Sequence, residues 1–150
     1  MSDLTVRAWI TSAPPTIDPK ESLRRARAVM RSAKVPELLV MDGRVLVGTL
    51  SERDIWEHCP TSVVVMDDKQ AEELLERIRV GGVMALHPAT ITPDTLLREA
   101  AQIFAQSKRS GLPVLDDGAL VGLLTEESVM RAVAILLGEE ELKIRTGERG

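Results

Sequence analysis

Sliding the chain past itself by 74 residues aligns residues 6–55 with 80–129 without a gap, and 17 of the 50 paired positions are identical. Chance gives only a few such matches, so the chain carries a duplication, and both halves must adopt the same unit. The identities include Pro14/Pro88, Thr16/Thr90, Ile17/Ile91, Pro19/Pro93, Leu23/Leu97, Ala26/Ala100, Lys34/Lys108, Val40/Val114, Asp42/Asp116 and Gly48/Gly122. No other feature restricts the fold as strongly.

Each copy reads as β-α-β-β-α. Thr16-Ile17 and Thr90-Ile91 form a very short strand that stops at Pro19 or Pro93, where proline lacks the N–H needed to continue a ladder. Leu23, Ala26, Met30 and Ala33, and in the second copy Leu97, Ala100 and Phe104, recur at helical spacing on one face. Two apolar runs separated by Asp42-Gly43-Arg44, or by Asp116-Asp117-Gly118-Ala119, then form a hairpin. Ser51 and Thr125 stand where each second helix needs an N-cap. The fold class is α+β. The expected division is residues 1–57 for the first unit, 58–79 for a linker, 80–137 for the second unit and 138–150 for a charged, flexible tail. A tail helix through Leu142 and Ile144 is the alternative. In the linker, 63–66 reads as extended, and Asp67 or Asp68 caps a helix carrying Ala71, Leu74, Leu75 and Ile78.

Composition narrows the function. The net charge of −4 argues against non-specific nucleic-acid binding, which needs a basic surface to displace counterions. Trp9, Trp56 and Phe104 are the whole aromatic complement, too few for a base-stacking platform. The single Cys59 excludes an internal disulfide and a cysteine zinc site, and His58 and His87, read as loop residues, have no partner at metal-ligand spacing. No run approaches 18 apolar residues and no apolar leader is present, so a cytoplasmic protein without membrane contact is expected. Gly81-Gly82 reads as a turn, because no Gly-Lys-Ser/Thr follows it.

Gly48-Thr49-Leu50-Ser51-Glu52-Arg53-Asp54 and Gly122-Leu123-Leu124-Thr125-Glu126-Glu127-Ser128 follow the pattern Gly-x-x-Ser/Thr-x-x-Asp. Together with the upstream Thr-Ile-x-Pro and with Leu112-Pro113-Val114-Leu115-Asp116, they resemble the CBS domain. The first copy departs from the pattern at Leu39, which replaces the proline. The resemblance covers residues 6–137 and extends to the CBS pairs of acetoin-utilisation-type proteins. It implies a tandem pair (a Bateman module) packed sheet to sheet with pseudo-two-fold symmetry. It also implies clefts between the units for AMP, ADP, ATP or S-adenosylmethionine, and a homodimer of two pairs.

The residues suit such a ligand. A carboxylate inside the first helical turn accepts hydrogen bonds from a ribose diol, and hydroxyls at a helix N-terminus suit phosphate or sugar. The resemblance then builds one site from Ser51, Arg53 and Asp54, completed by Ala89, Thr90 and Ile91 on the adenine side and by Lys108, Arg109, Ser110 and Gly111 on the phosphate side. The opposite site combines Thr125 and Ser128 with Thr16, Ile17 and Pro36. There Ser128 replaces the aspartate, Glu37 adds negative charge and Pro36 removes an amide donor, so this site is expected to be degraded. Bland roles stand beside these: Asp54 as a solvated first-turn residue, Lys108 and Arg109 as an exposed helix end, Arg53 pointing to solvent.

No catalytic motif is present, neither a Gly-x-Ser-x-Gly elbow nor His-Glu-x-x-His nor Walker A. The expectation is a non-enzymatic sensor that needs no cofactor or metal and acts on an unknown protein target. The competing class is a ligand-free dimerisation module. Val129, Ala132, Val133, Leu136 and Leu137 supply an apolar helix face for a dimer.

Overall fold

The structure, a computed structural model, describes residues 4–59, 66–107 and 109–146. In the first copy a two-residue strand β2 (Thr16–Ile17) leads to α1 (Leu23–Ala33), the hairpin β3 (Glu37–Asp42) and β4 (Val45–Ser51), and α2 (Glu52–His58). The second copy repeats this as α4 (Leu97–Gln106), β6 (Gly111–Asp116), β7 (Ala119–Thr125) and α5 (Glu126–Thr146). Its short strand shrinks to a single parallel bridge from Ile91 to Val114. Between the copies runs α3 (Asp68–Arg77), capped by Asp67 in a reciprocal box with Gln70. The expected extended segment at 63–66 lies, but for Met66, outside the described residues.

Local chemistry explains these boundaries. Ser22 accepts the Arg25 amide and starts α1, and Lys34 ends it in the left-handed conformation. Asp117 and Gly118 both take positive φ, the turn that matches strand twist in a two-residue hairpin. Both hairpins shift register at the same place, Val40/Met41 and Val114/Leu115. Leu23, Ala26 and Met30 are buried on α1, while Ala33 is exposed. A fully buried leucine such as Leu23 contributes about 1.5–3 kcal/mol.

The two sheets exchange their leading strands. β1 (Thr11–Ser12) belongs to the first copy in sequence but pairs with β7, and β5 (Ala85–Leu86) pairs with β4 of the first copy. The exchange is symmetric: Leu97 N–H donates to Leu4 O and Leu23 N–H to Ile78 O, the same bond 74 residues apart. Val6 accordingly sits in the second core, with Ile91, Leu97, Phe104 and Val129, whereas Val80 sits in the first, with Leu23, Met30, Leu50 and Ile55. Gly48 and Gly122 permit the exchange, because a Cβ on either would stand 2.8 Å from the carbonyl oxygen of Ala85 or Thr11.

Residues 37–40 and 111–114 are buried on consecutive positions, so both sheet faces are covered. Leu38 and Val40 point into the core of their own copy. Glu37, Leu39, Thr49 and Leu123 are buried but belong to neither core, which leaves them between the sheets.

α5 departs from the expected tail, continuing through Gly138 to Thr146. Residues 139–145 are Glu, Leu, Lys, Ile and Arg, nearly all strong helix formers. The expected dimer face of this helix also needs correction. Val129 and Ala132 are buried in the second core with Leu136 packed partly against it, while Met130, Val133 and Leu137 carry the exposed stripe.

Candidate functional site: the cleft between the two copies

A cleft of about 420 Å³ opens where the start of α2 in the first copy faces the α4–β6 connection of the second. Pro36, Ser51, Glu52, Arg53, Phe104, Ser107, Arg109, Ser110 and Glu126 line it. The volume lies within the roughly 300–1,000 Å³ usual for small-molecule sites. Both halves arrive by hairpin geometry: Ser51 ends β4 opposite Glu37, and Gly111 begins β6 opposite Thr125.

Ser51 and Asp54 form a reciprocal capping box. The Asp54 amide donates to Ser51 Oγ at 3.1 Å, and the Ser51 amide donates to Asp54 Oδ2 at 2.9 Å. Asp54 therefore caps the helix through one oxygen instead of lying solvated in its first turn, and that same oxygen stands 3.6 Å from the Arg109 guanidinium. Asp54 is thus at once a helix cap and a partner of a cation from the other copy.

A buried polar contact beside the cleft left little trace in the sequence. Glu37, with no exposed side-chain surface, accepts from Arg109 Nη1 at 2.7 Å through Oε1 and from the Gly111 amide at 2.9 Å through Oε2. Burial pushes the Glu37 carboxyl above its ordinary value, although the Arg109 charge and the Arg109 and Gly111 bonds oppose that shift. The Thr49 hydroxyl is buried near the carboxylate but outside hydrogen-bond geometry.

Residues 37 and 111 are the same repeat position, so the pseudo-two-fold axis passes between them. A Cβ on Gly111 would lie 3.6 Å from Glu37 Cβ and 3.3 Å from Oε2. The glycine makes room for the glutamate. This corrects the sequence expectation, which set Glu37 and Pro36 against the opposite site. Odd positions of β3 face the other sheet, so Glu37 reaches the second copy, and Pro36 lines the same cleft as Ser51 and Arg109. The one sequence signal was a glutamate opposite a glycine in an otherwise well-matched repeat.

The other expected residues divide. Arg53, Arg109 and Ser110 join Ser51 in the cleft lining, with Asp54 and Gly111 behind them. Ala89 and Thr90 are exposed and absent from that lining, and Ile91 is buried in the second core, its amide bonded to Pro113 O. Lys108 lies outside the described residues. At the opposite position Thr125 Oγ1 donates to Ser128 Oγ at 3.0 Å and accepts the Ser128 amide at 3.1 Å, closing the two hydroxyls on each other. Thr16 is exposed on β2 and Ile17 is buried in the first core. Among the described residues no group of three histidine, cysteine, aspartate or glutamate side chains could hold a metal, and no helix is long and apolar enough to cross a membrane.

The family model of the CBS domain matches residues 6–55 and 80–135. An inosine-5'-monophosphate dehydrogenase from Korarchaeum cryptofilum is 30% identical over 135 residues, 88% of this chain but only 25% of the dehydrogenase. The chain thus spans about a quarter of that relative. Among solved structures, the CBS-pair protein CBSX2 from Arabidopsis thaliana superposes with a TM-score of 0.76 at 28% identity, covering 90% of this chain and 97% of that one. The same protein in complex with AMP gives 0.70, covering 89% and 98%. The acetoin utilization protein AcuB from Vibrio cholerae gives 0.73 at 22% identity, covering 93% and 97%, which shows the shared fold.

Proposed function

This chain belongs to the CBS-domain family as a tandem pair, and on that premise we propose that it is a regulatory module binding an adenosyl ligand in the cleft between its two units. AMP, ADP, ATP and S-adenosylmethionine are the candidates. One observation carries the reading: a cleft of about 420 Å³ in which Ser51 and Arg53 of one copy, with the capping carboxylate Asp54 behind them, face Ser107, Arg109 and Ser110 of the other. The AMP complex of CBSX2 supports it. Asp54 Oδ2 caps the helix, which leaves Oδ1 as acceptor for a ribose hydroxyl, and the aliphatic composition suits a ring held between side chains rather than stacked on aromatics.

Because the walls come from different copies, a ligand that touches both changes their relative orientation and passes that change to a protein partner. We read the module as non-enzymatic, which the match of the CBS family model to both copies supports. Dimerisation through the exposed stripe of Met130, Val133 and Leu137 on α5, with Trp56 at the repeat position of Met130, completes the proposal.

A thermal-shift and calorimetric series with the four candidates tests the binding. At least one, at a hundredfold excess over its dissociation constant, raises stability by about 2.7 kcal/mol. No response to any of them at millimolar concentration overturns the reading. It would favour a ligand-free interaction module, a reading supported by the Glu37 carboxylate already lying on Arg109 and the Gly111 amide.

A further inference from the structure

Two of the described groups placed to receive a phosphate, the Arg109 guanidinium and the Gly111 amide, are already engaged inside the protein. Arg109 is the cation from the second copy in the described cleft, and the Gly111 amide lies beside it; both bind the Glu37 carboxylate. Such charge-assisted bonds are the strong kind, and Glu37 has no exposed surface through which water could replace them. A ligand phosphate that took Arg109 and the amide would leave Glu37 buried beside a second anion. The remaining charges add to this: Glu52 and Glu126 also line the cleft and Asp54 stands behind it, against Arg53 and Arg109.

We propose that Glu37 is a specificity-determining residue of this cleft, an internal carboxylate that occupies the anion position and selects for adenosyl ligands bringing no negative charge to Arg109. The proposal rests on the reading of the cleft as an adenosyl site. The repeat itself points to selectivity beyond simple packing. The unit needs a residue at this position in each copy, yet the pair places a carboxylate in one and removes the side chain from the other, so that the carboxylate meets a backbone N–H and a guanidinium. An apolar side chain would fill the same space between the sheets without engaging either.

Glu37→Gln keeps the shape and removes the charge. Inorganic pyrophosphate, used alone as the probe, is expected to raise the melting temperature of Glu37→Gln and leave the wild type unmoved. AMP is expected to bind Glu37→Gln about ten- to a hundredfold more tightly than the wild type, while adenosine shifts by less than about twofold. A merely structural strut would move the melting temperature of the free protein and none of these ratios.

Equal pyrophosphate responses in both proteins, or none in either, overturn the proposal. So does unchanged AMP affinity when AMP binds. If pyrophosphate separates the two proteins while adenosine and AMP bind neither, the adenosyl reading fails and the role of Glu37 against anions stands. If adenosine and AMP bind both proteins alike, the reverse holds. Should Glu37→Gln fail to fold, Glu37→Asp, one methylene too short to reach Arg109 and Gly111 together, is expected to gain a partial pyrophosphate response, and no gain rejects the proposal.

Discussion

The starts of α2 and α5 are the same sequence position used twice, and they have become chemically unlike. At α2 the cap is a hydroxyl and a carboxylate, and the carboxylate faces a guanidinium from the other copy at 3.6 Å. At α5 the cap is two hydroxyls bonded to each other, with no charge involved. Both arrangements satisfy a helix terminus. Only the first sets its capping carboxylate against a cation of the other copy; at α5 the charge facing the cleft is Glu126, outside the hydroxyl pair. A duplicated unit can therefore keep its fold twice while keeping its chemistry once, because capping tolerates Ser, Thr or Asp whereas a diol or a cation requires the carboxylate.

The sharpest way to break this comparison is to remove the cation that meets the Asp54 carboxylate, Arg109, whose repeat counterpart is Val35. Arg109→Met strands the Glu37 carboxylate between the sheets, and the expected loss is about 3 kcal/mol of unfolding free energy in a urea titration. A loss below about 1 kcal/mol would show that Glu37 finds other partners or takes up a proton without strain.

Smaller, but aimed directly at the asymmetry, is the pair Asp54→Ala and Ser128→Ala. The first removes half of a capping box and about 1 kcal/mol of stability, and it abolishes most adenosyl binding. The second leaves the Thr125 hydroxyl to accept the residue 128 amide, so stability falls by no more than about 0.5 kcal/mol and binding is unchanged. Calorimetry on both variants decides the matter, and equal losses of affinity refute a single competent site.

The smallest expected effect is in pH. Burial raises the Glu37 carboxyl above its ordinary value, so the folded protein holds this proton more tightly than the unfolded chain does. Stability from this group is full below the ordinary glutamate range and falls as pH rises through the raised value of the folded state. The wild type should lose stability relative to Glu37→Gln across that window, with the difference constant above and below it. A difference that grows as pH falls instead would show that the ion pair with Arg109 outweighs burial.

Much of the fold is legible in the residues alone. The 74-residue offset, the α1 face of Leu23, Ala26 and Met30, the Asp-Gly turn and the caps at Ser51 and Asp67 are local signals, each set by spacing along the chain. The grouping of Ser51, Arg53 and Asp54 with Arg109, Ser110 and Gly111 rested on the family resemblance; the structure places Ser51, Arg53, Arg109 and Ser110 along one cleft, Asp54 3.6 Å from Arg109, and Gly111 on Glu37. Of the expected adenine-side residues, Ile91 packs in the second core, and Ala89 and Thr90 are exposed outside the lining of this cleft.

The sequence by itself determined that one unit is used twice, where most of its helices begin and end, and that the second copy carries Ser128 where the first has Asp54. Periodicity, turn chemistry and capping act over a few residues, so they can be read without knowing what lies opposite. Only the tertiary structure decided which copy each leading strand joins and what Glu37 touches. Both depend on a two-fold axis that brings residues 74 apart within hydrogen-bond distance. The duplication predicts such an axis; the unequal residues on its two sides decide what the cleft can hold.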